Sequence, residues 1–139
     1  MMAGIRGKDT APEMVLRKGI HAAGFRYRLH VKDLPGRPDL VFPGRRAVLF
    51  ANGCFWHGHD CHLFKWPSTR PDWWRAKIDK NRLNDSRAVD ALTARGWRIG
   101  VVWECALKGR SRKPLESVIE ACAVWLMSDA PYFDLRGFE

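Results

Sequence analysis

From Cys54 to Arg70 the chain follows neither the helical nor the strand hydrophobic period, while cysteine, histidine, tryptophan and phenylalanine crowd into the same stretch. A segment without an apolar stripe cannot be held by one packed face, so something else must fix its shape. Cys54-x4-His59-x-Cys61 offers three soft or borderline donors within eight residues, and Cys105 follows the next strand-like run, where a fourth donor can return. These donor types suit zinc, and four protein ligands would close its tetrahedral shell, the mark of a structural site. His62 competes with His59 for the imidazole place, and spacing does not decide between them. The alternative is a set of small core residues and surface histidines. Cys122 falls on the apolar side of a helical segment and reads as core.

Periodic segments flank this stretch. Thr10-Ala11-Pro12-Glu13 has the form of a helix start, and Val15, Leu16 and Ile20 recur at helical spacing until Gly24. Phe25 to His30 alternates apolar with basic residues and predicts a half-buried strand. Asp39 to Phe42, the turn Pro43-Gly44-Arg45 and Ala47 to Phe50 predict a hairpin of two buried strands, ended by Asn52-Gly53. A charged helix runs from Pro71 to about Arg95, with Trp74, Ile78, Leu83, Val89 and Leu92 as inward candidates and a possible break at Asn84-Asp85-Ser86. Trp97 to Trp103 is a further strand reached by this long crossover, which favours a parallel neighbour, and Pro114 to Met127 is the last helix. The fold class expected is α/β, a small mixed sheet flanked by helices, and 139 residues fit one domain spanning 1–139.

Lysine and arginine number 24 against 15 acids, a net charge of +9 that is spread along the chain. Together with 7 tryptophans this favours nucleic acid over an anionic membrane as partner, because aromatic faces stack on bases. No apolar run approaches the roughly 18 residues of a membrane span and the N-terminus lacks a signal-peptide core, so the expectation is a cytoplasmic protein without a membrane partner. Asp39 opens an apolar strand, where a carboxylate must be paired, hydrogen-bonded or bound to a cation.

The blocks Leu34-Pro35-Gly36-Arg37-Pro38-Asp39, Gly53-Cys54-Phe55-Trp56-His57-Gly58-His59 and Trp103-Glu104-Cys105-Ala106-Leu107 together closely resemble the very-short-patch repair mismatch endonucleases, in the same order and over nearly the whole chain. That resemblance implies a restriction-endonuclease-like nuclease, a variant of the Pro-Asp…(Asp/Glu)-x-Lys fold, with structural zinc and catalytic magnesium. Its substrate would be double-stranded DNA bearing a T:G mismatch left by deamination of 5-methylcytosine, nicked 5′ to the thymine. It makes Cys54, His59, Cys61 and Cys105 the zinc ligands, Asp39 the magnesium ligand with the main-chain carbonyl of Ala51, His57 the acid-base or water-orienting group, and Glu13 an acid close to the metal. Phe55, Trp56 and Trp74 would be the rings that enter the base stack. Independently of the resemblance, the basic residues around them, Lys65, Arg70, Arg75, Lys77 and Lys80, are natural phosphate contacts, the alternative being a merely solvated helix face. A monomer is expected, with mismatch-repair proteins as candidate partners.

Two departures from the family pattern stand out. Ala51-Asn52 occupies the place where the family commonly carries threonine and histidine. A main-chain carbonyl survives that change, but an asparagine cannot exchange a proton near neutrality, so Asn52 can only orient water. The segment before the first helix is also shorter than expected for a family whose N-terminal arm grips DNA. The rival readings are a zinc-containing DNA-binding module with a decayed centre, and a restriction-like nuclease of different specificity. Trp97, Trp103 and Trp125 read as core, whereas Trp66 and Trp73 are left undecided.

Overall fold

In the computed structural model, residues 10–138 are described, and the N-terminal arm lies outside them. Three helices flank a four-stranded sheet: α1 (Ala11–Ala22), β1 (Leu40–Phe42), β2 (Ala47–Asn52), α2 (Pro71–Ala94), β3 (Arg98–Trp103), α3 (Leu115–Met127) and β4 (Tyr132–Leu135). The sheet order is β1-β2-β3-β4, antiparallel between β1 and β2 and parallel thereafter, so the mixed α/β class is borne out.

Strand alternation divides the core into two layers. Leu40, Phe42, Ala47, Leu49 and Val102 face Leu16 and Ile20 of α1 and Val118, Cys122, Trp125 and Leu126 of α3. Val41, Val48, Ile99 and Val101 face the other way, toward Leu92 of α2. Gly100 lies where β3 passes under α3. A Cβ there would come 2.6 Å from Leu49 Cδ2 and 2.9 Å from the Trp125 ring, so glycine makes room for the indole.

Three expectations need correction, and one strand is added. The stretch Phe25 to His30 is no strand: Arg28 alone bridges to Val41, and His30, at φ 56°, turns the chain out of the extended region. Its alternation was informative all the same, since Phe25, Tyr27 and Leu29 pack on the core. Thr10 makes no side-chain capping bond and Glu13 is turned inward at 1% exposure rather than back toward Thr10, while Val15 is exposed. Helix α2 runs unbroken through Asn84-Asp85-Ser86, and Leu83 lies off its inward face. Strand β4 was not anticipated; it is a four-residue edge beside β3.

At the end of the sheet where β2 and β3 begin, arginines close the helix C-termini. Arg98 donates to the carbonyls of Trp125 (3.2 Å), Leu126 (3.2 Å) and Ala130 (3.3 Å), and Arg45 to that of Leu126 (3.4 Å). Arg46 lies over the Trp97 ring and donates to the Arg95 carbonyl at 2.7 Å, just past α2. These cations meet the orphan carbonyls and the negative dipole end of each helix.

Candidate functional site

At the opposite end of the sheet, past the last residues of β2, an open cleft of about 1010 Å³ is lined by Asp39, Ala51, Asn52, Phe55, Trp56 and His57, among others. Lys77 of α2 and the N-terminal turn of α1 complete its walls. The hairpin register accounts for the pairing of the first two. The Asp39 N–H donates to Leu49 O at 3.0 Å, which brings the side chain beyond the end of β1, where its Oδ2 accepts the Ala51 N–H at 2.6 Å. On an extended strand the N–H and C=O of one residue point to the same edge, so the Ala51 carbonyl faces the side that Asp39 occupies. Burial lifts the Asp39 carboxyl to about 7, the Ala51 N–H opposes the rise, and the neighbouring Glu13 of α1 adds to it. Two carboxyl groups and a strand carbonyl thus converge where little water screens them, an environment suited to a hard cation.

His57 lies in the wall of the same cleft. Its Nδ1 pairs with Asp85 Oδ2 of α2 at 2.5 Å. A carboxylate on Nδ1 fixes the neutral ring with its proton there and leaves the Nε2 lone pair free to accept another. Asp85 went unrecognised in the sequence, as did its neighbours. Asn81 Nδ2 donates to the Trp56 carbonyl at 2.8 Å and Arg82 Nη2 to the Gly58 carbonyl at 2.6 Å. Residues 78, 81, 82, 85, 89 and 92 share one helical face, so the middle of the inward face of α2 is polar because it holds a loop rather than core. Gly58, at φ 60°, lets that loop approach: a Cβ would come 2.5 Å from Arg82 Nε and 2.7 Å from Ile78 Cγ2.

The other side of the loop gathers Cys54, His59, Cys61 and Cys105, whose ligand atoms lie within 4.8 Å of one another and could hold a metal ion. His59 presents Nδ1 to Cys54 Sγ at 3.6 Å and to Cys105 Sγ at 3.7 Å. His62 is turned elsewhere, with its Nδ1 3.4 Å from Ser111 Oγ, so His59 is the imidazole that joins the three cysteines. Burial raises the Cys54 and Cys105 thiols and lowers His59. Main-chain N–H groups bond the sulfurs from outside: Cys105 N to Cys54 Sγ and Gly137 N to Cys105 Sγ, both at 3.3 Å. Trp103 is partly buried and packs on the second core layer, and its ring also stacks on His59 at 3.9 Å. Trp125 is core, and Trp97 is partly buried beneath Arg46. The C-terminal residues clamp the outside, where Arg136 Nη1 donates to Asp60 Oδ1 at 2.7 Å.

Phe55, Trp56 and Trp74 form one ring cluster, with Phe55 5.1 Å from Trp56 and 5.2 Å from Trp74. Lys65 and Arg70 are exposed and do not line the cleft. Along residues 54–61 the chain therefore alternates between the two sites: Cys54 to the cluster, Phe55, Trp56 and His57 to the cleft, His59 and Cys61 to the cluster.

Residues 1–63 match the family model described as DNA mismatch endonuclease Vsr. The chain is 53% identical over 107 residues to the type II nicking enzyme V.XorIIP of Xanthomonas oryzae pv. oryzae, covering 77% of this chain and 79% of that protein. It is 42% identical over 128 residues to the DNA mismatch endonuclease Vsr of Escherichia coli K12, covering 92% of this chain and 82% of that one. The type II nicking enzyme V.NmeAIP of Neisseria meningitidis is 40% identical over 111 residues, 80% of this chain and 79% of the relative.

Proposed function

The chain belongs to the Vsr family of DNA mismatch endonucleases, whose fold is restriction-endonuclease-like, and we propose that it nicks one strand of duplex DNA 5′ to the thymine of a T:G mismatch. The observation that carries this reading is the convergence of Asp39, Ala51 and the His57–Asp85 pair with the Phe55–Trp56 rings on one cleft. We read residues 1–139 as one nuclease unit acting as a monomer in the cytoplasm.

The donor set of the cluster fits zinc. Tetrahedral Zn–S bonds of about 2.3 Å and Zn–N bonds of about 2.0 Å separate ligand atoms by roughly 3.5–3.8 Å, close to the distances His59 Nδ1 makes to two sulfurs. Zinc there would displace the protons that burial keeps on the Cys54 and Cys105 thiols and would hold the loop that carries Phe55, Trp56 and His57. In the cleft, Asp39 and the Ala51 carbonyl, with Glu13 behind them, would hold Mg²⁺, which would neutralise the scissile phosphate and ease departure of the leaving oxygen. His57 Nε2 takes a proton from the attacking water, Asp85 steadies the ring and its tautomer, and Asn52 orients water without titrating. The aromatic cluster enters the stack beside the mismatch, where unstacking costs least.

Incubating the protein with matched and T:G duplexes, with and without Mg²⁺, tests this directly. Mg²⁺-dependent nicking confined to the T:G duplex is the expected result. Mismatch binding without cleavage under any Mg²⁺ condition would instead identify a binding module, for which the non-titrating Asn52 in the cleft wall is the one favouring observation.

A further inference from the structure

Two tryptophans outside the cleft carry arginines on their faces. Trp66, 39% exposed, lies under the Arg75 guanidinium at 4.4 Å from the ring centroid, and Trp73, 46% exposed, lies under that of Arg70 at 5.1 Å. Indoles are highly buried on average, so two in water on one face need a reason other than folding. Neither is isolated from the cleft. Trp66 packs edge-on against Phe64 at 4.9 Å, and Phe64 lies 5.7 Å from Phe55. Trp73 packs edge-on against Trp74 at 4.9 Å, and Trp74 touches both Phe55 and Trp56. The exposed indoles are the outer ends of two aromatic rows that start at the cleft.

The charge on these rows is unspent. Among the described residues Arg17, Arg82 and Arg136 are matched to carboxylates, and Arg45, Arg46 and Arg98 serve carbonyls at helix ends. Arg70 and Arg75 have no carboxylate within ion-pair distance among those residues, and Lys65, next to Trp66, is exposed as well. A guanidinium stacked on an indole keeps its N–H groups in its own plane, free at the edge, and a phosphate's paired oxygens are the geometry that such a fork matches best.

We propose that the Trp66–Arg75 and Trp73–Arg70 pairs form a second contact surface for duplex DNA, on which the sugar–phosphate backbone beside the lesion rests while the cleft rings act at the lesion. The inference rests on the nuclease reading of the cleft and extends it. Each indole gives an apolar platform for deoxyribose and holds a guanidinium ready for phosphate, which lowers the ordering cost of the contact. An acidic protein would match the charge, but continuity of both rows with the cleft favours the polymer that occupies it.

The test compares wild type with Arg75→Gln, Arg70→Gln and the doubly substituted protein on two T:G duplexes, one extending beyond the lesion on both sides and one trimmed to its immediate neighbours. On the long duplex each substitution should weaken binding roughly tenfold at low salt and lower the log–log salt slope by about 0.9. On the trimmed duplex variants and wild type should bind alike, and the loss should fall on Kd rather than on the single-turnover rate. Arg75→Lys, which keeps charge but loses the planar fork, should recover only part of the affinity. The quenching of tryptophan emission that the long duplex gives beyond the trimmed one should vanish in Trp66→Phe combined with Trp73→Phe. Unchanged Kd and salt slope on the long duplex would overturn the proposal while leaving the nuclease reading intact if the wild type nicks. A wild type that neither prefers nor nicks T:G DNA would sink that reading first.

Discussion

Replacing Asp39 by asparagine should stabilise the metal-free protein at neutral and alkaline pH and abolish its response to Mg²⁺. Burial lifts the Asp39 carboxyl from 3.8 to about 7. Between those two values the folded chain keeps a proton that the unfolded chain has released, so stability falls as pH rises through the window, and the full cost is present above about pH 7. Three pH units at 1.36 kcal/mol each give a ceiling of about 4 kcal/mol, which side-chain relaxation and water entry will reduce. Asparagine keeps an oxygen for the Ala51 N–H and offers an amide toward Glu13 without bringing a charge. Urea unfolding in EDTA from about pH 5 to about pH 8 should show the variant's advantage growing by up to about 1.4 kcal/mol per unit and then levelling. Added Mg²⁺ should raise the Tm of the wild type alone. A difference independent of pH, or a variant less stable than wild type at the alkaline end, would refute the reasoning, because Asp39 would then sit where its charge is welcome.

Three further outcomes follow from the site. Gly137→Ala would drive a Cβ into the Cys105 carbonyl oxygen and to 2.6 Å from that of Ser111, so it should cost about 1–3 kcal/mol and speed loss of bound zinc to a chromophoric chelator; an unchanged release rate counts against the C-terminal clamp. Asp85→Asn should lower single-turnover nicking on the order of 10²–10⁴-fold with little change in Tm, and adding it to His57→Ala should cost almost nothing more; independent, multiplying losses would separate the pair. Phe55→Ala with Trp56→Ala should reduce T:G binding far more than binding to matched duplex, whereas equal losses on both would return those rings to a packing role.

The hairpin and the parallel β2–β3 pairing were legible because strand alternation and a long crossover leave direct marks in a sequence. The cluster of cysteines and histidine was legible in part. Cys54, His59 and Cys61 sit close enough to be noticed, but choosing His59 over His62 needed the fold, which turns one imidazole to the sulfurs and the other to Ser111. Asp85 escaped because the helix was read for its apolar period alone. Asking which polar residues share a face with Ile78 and Leu92 yields Asn81, Arg82 and Asp85, and that signal was available. Trp103 packs on the core as its apolar strand implies, but nothing in that pattern marks the face that stacks on His59. Strand β4 is too short, and too exposed, to leave a pattern.

Because α2 and α3 each carry the chain back between parallel strands, both helices run against the strands, and their C-termini lie together where Arg45, Arg46 and Arg98 neutralise them. Their N-termini, the positive ends, therefore lie at the other end of the sheet, each with one acid in its first turn, Asp72 and Glu116. The backbone itself gives the molecule a heading: a polyanion drifting in would be turned cleft-first before any side chain touches it. Such pre-alignment is a property of encounter rate. It fades with ionic strength, so removing a cation at the closed end would show in unfolding, and removing one at the open end in the speed of association.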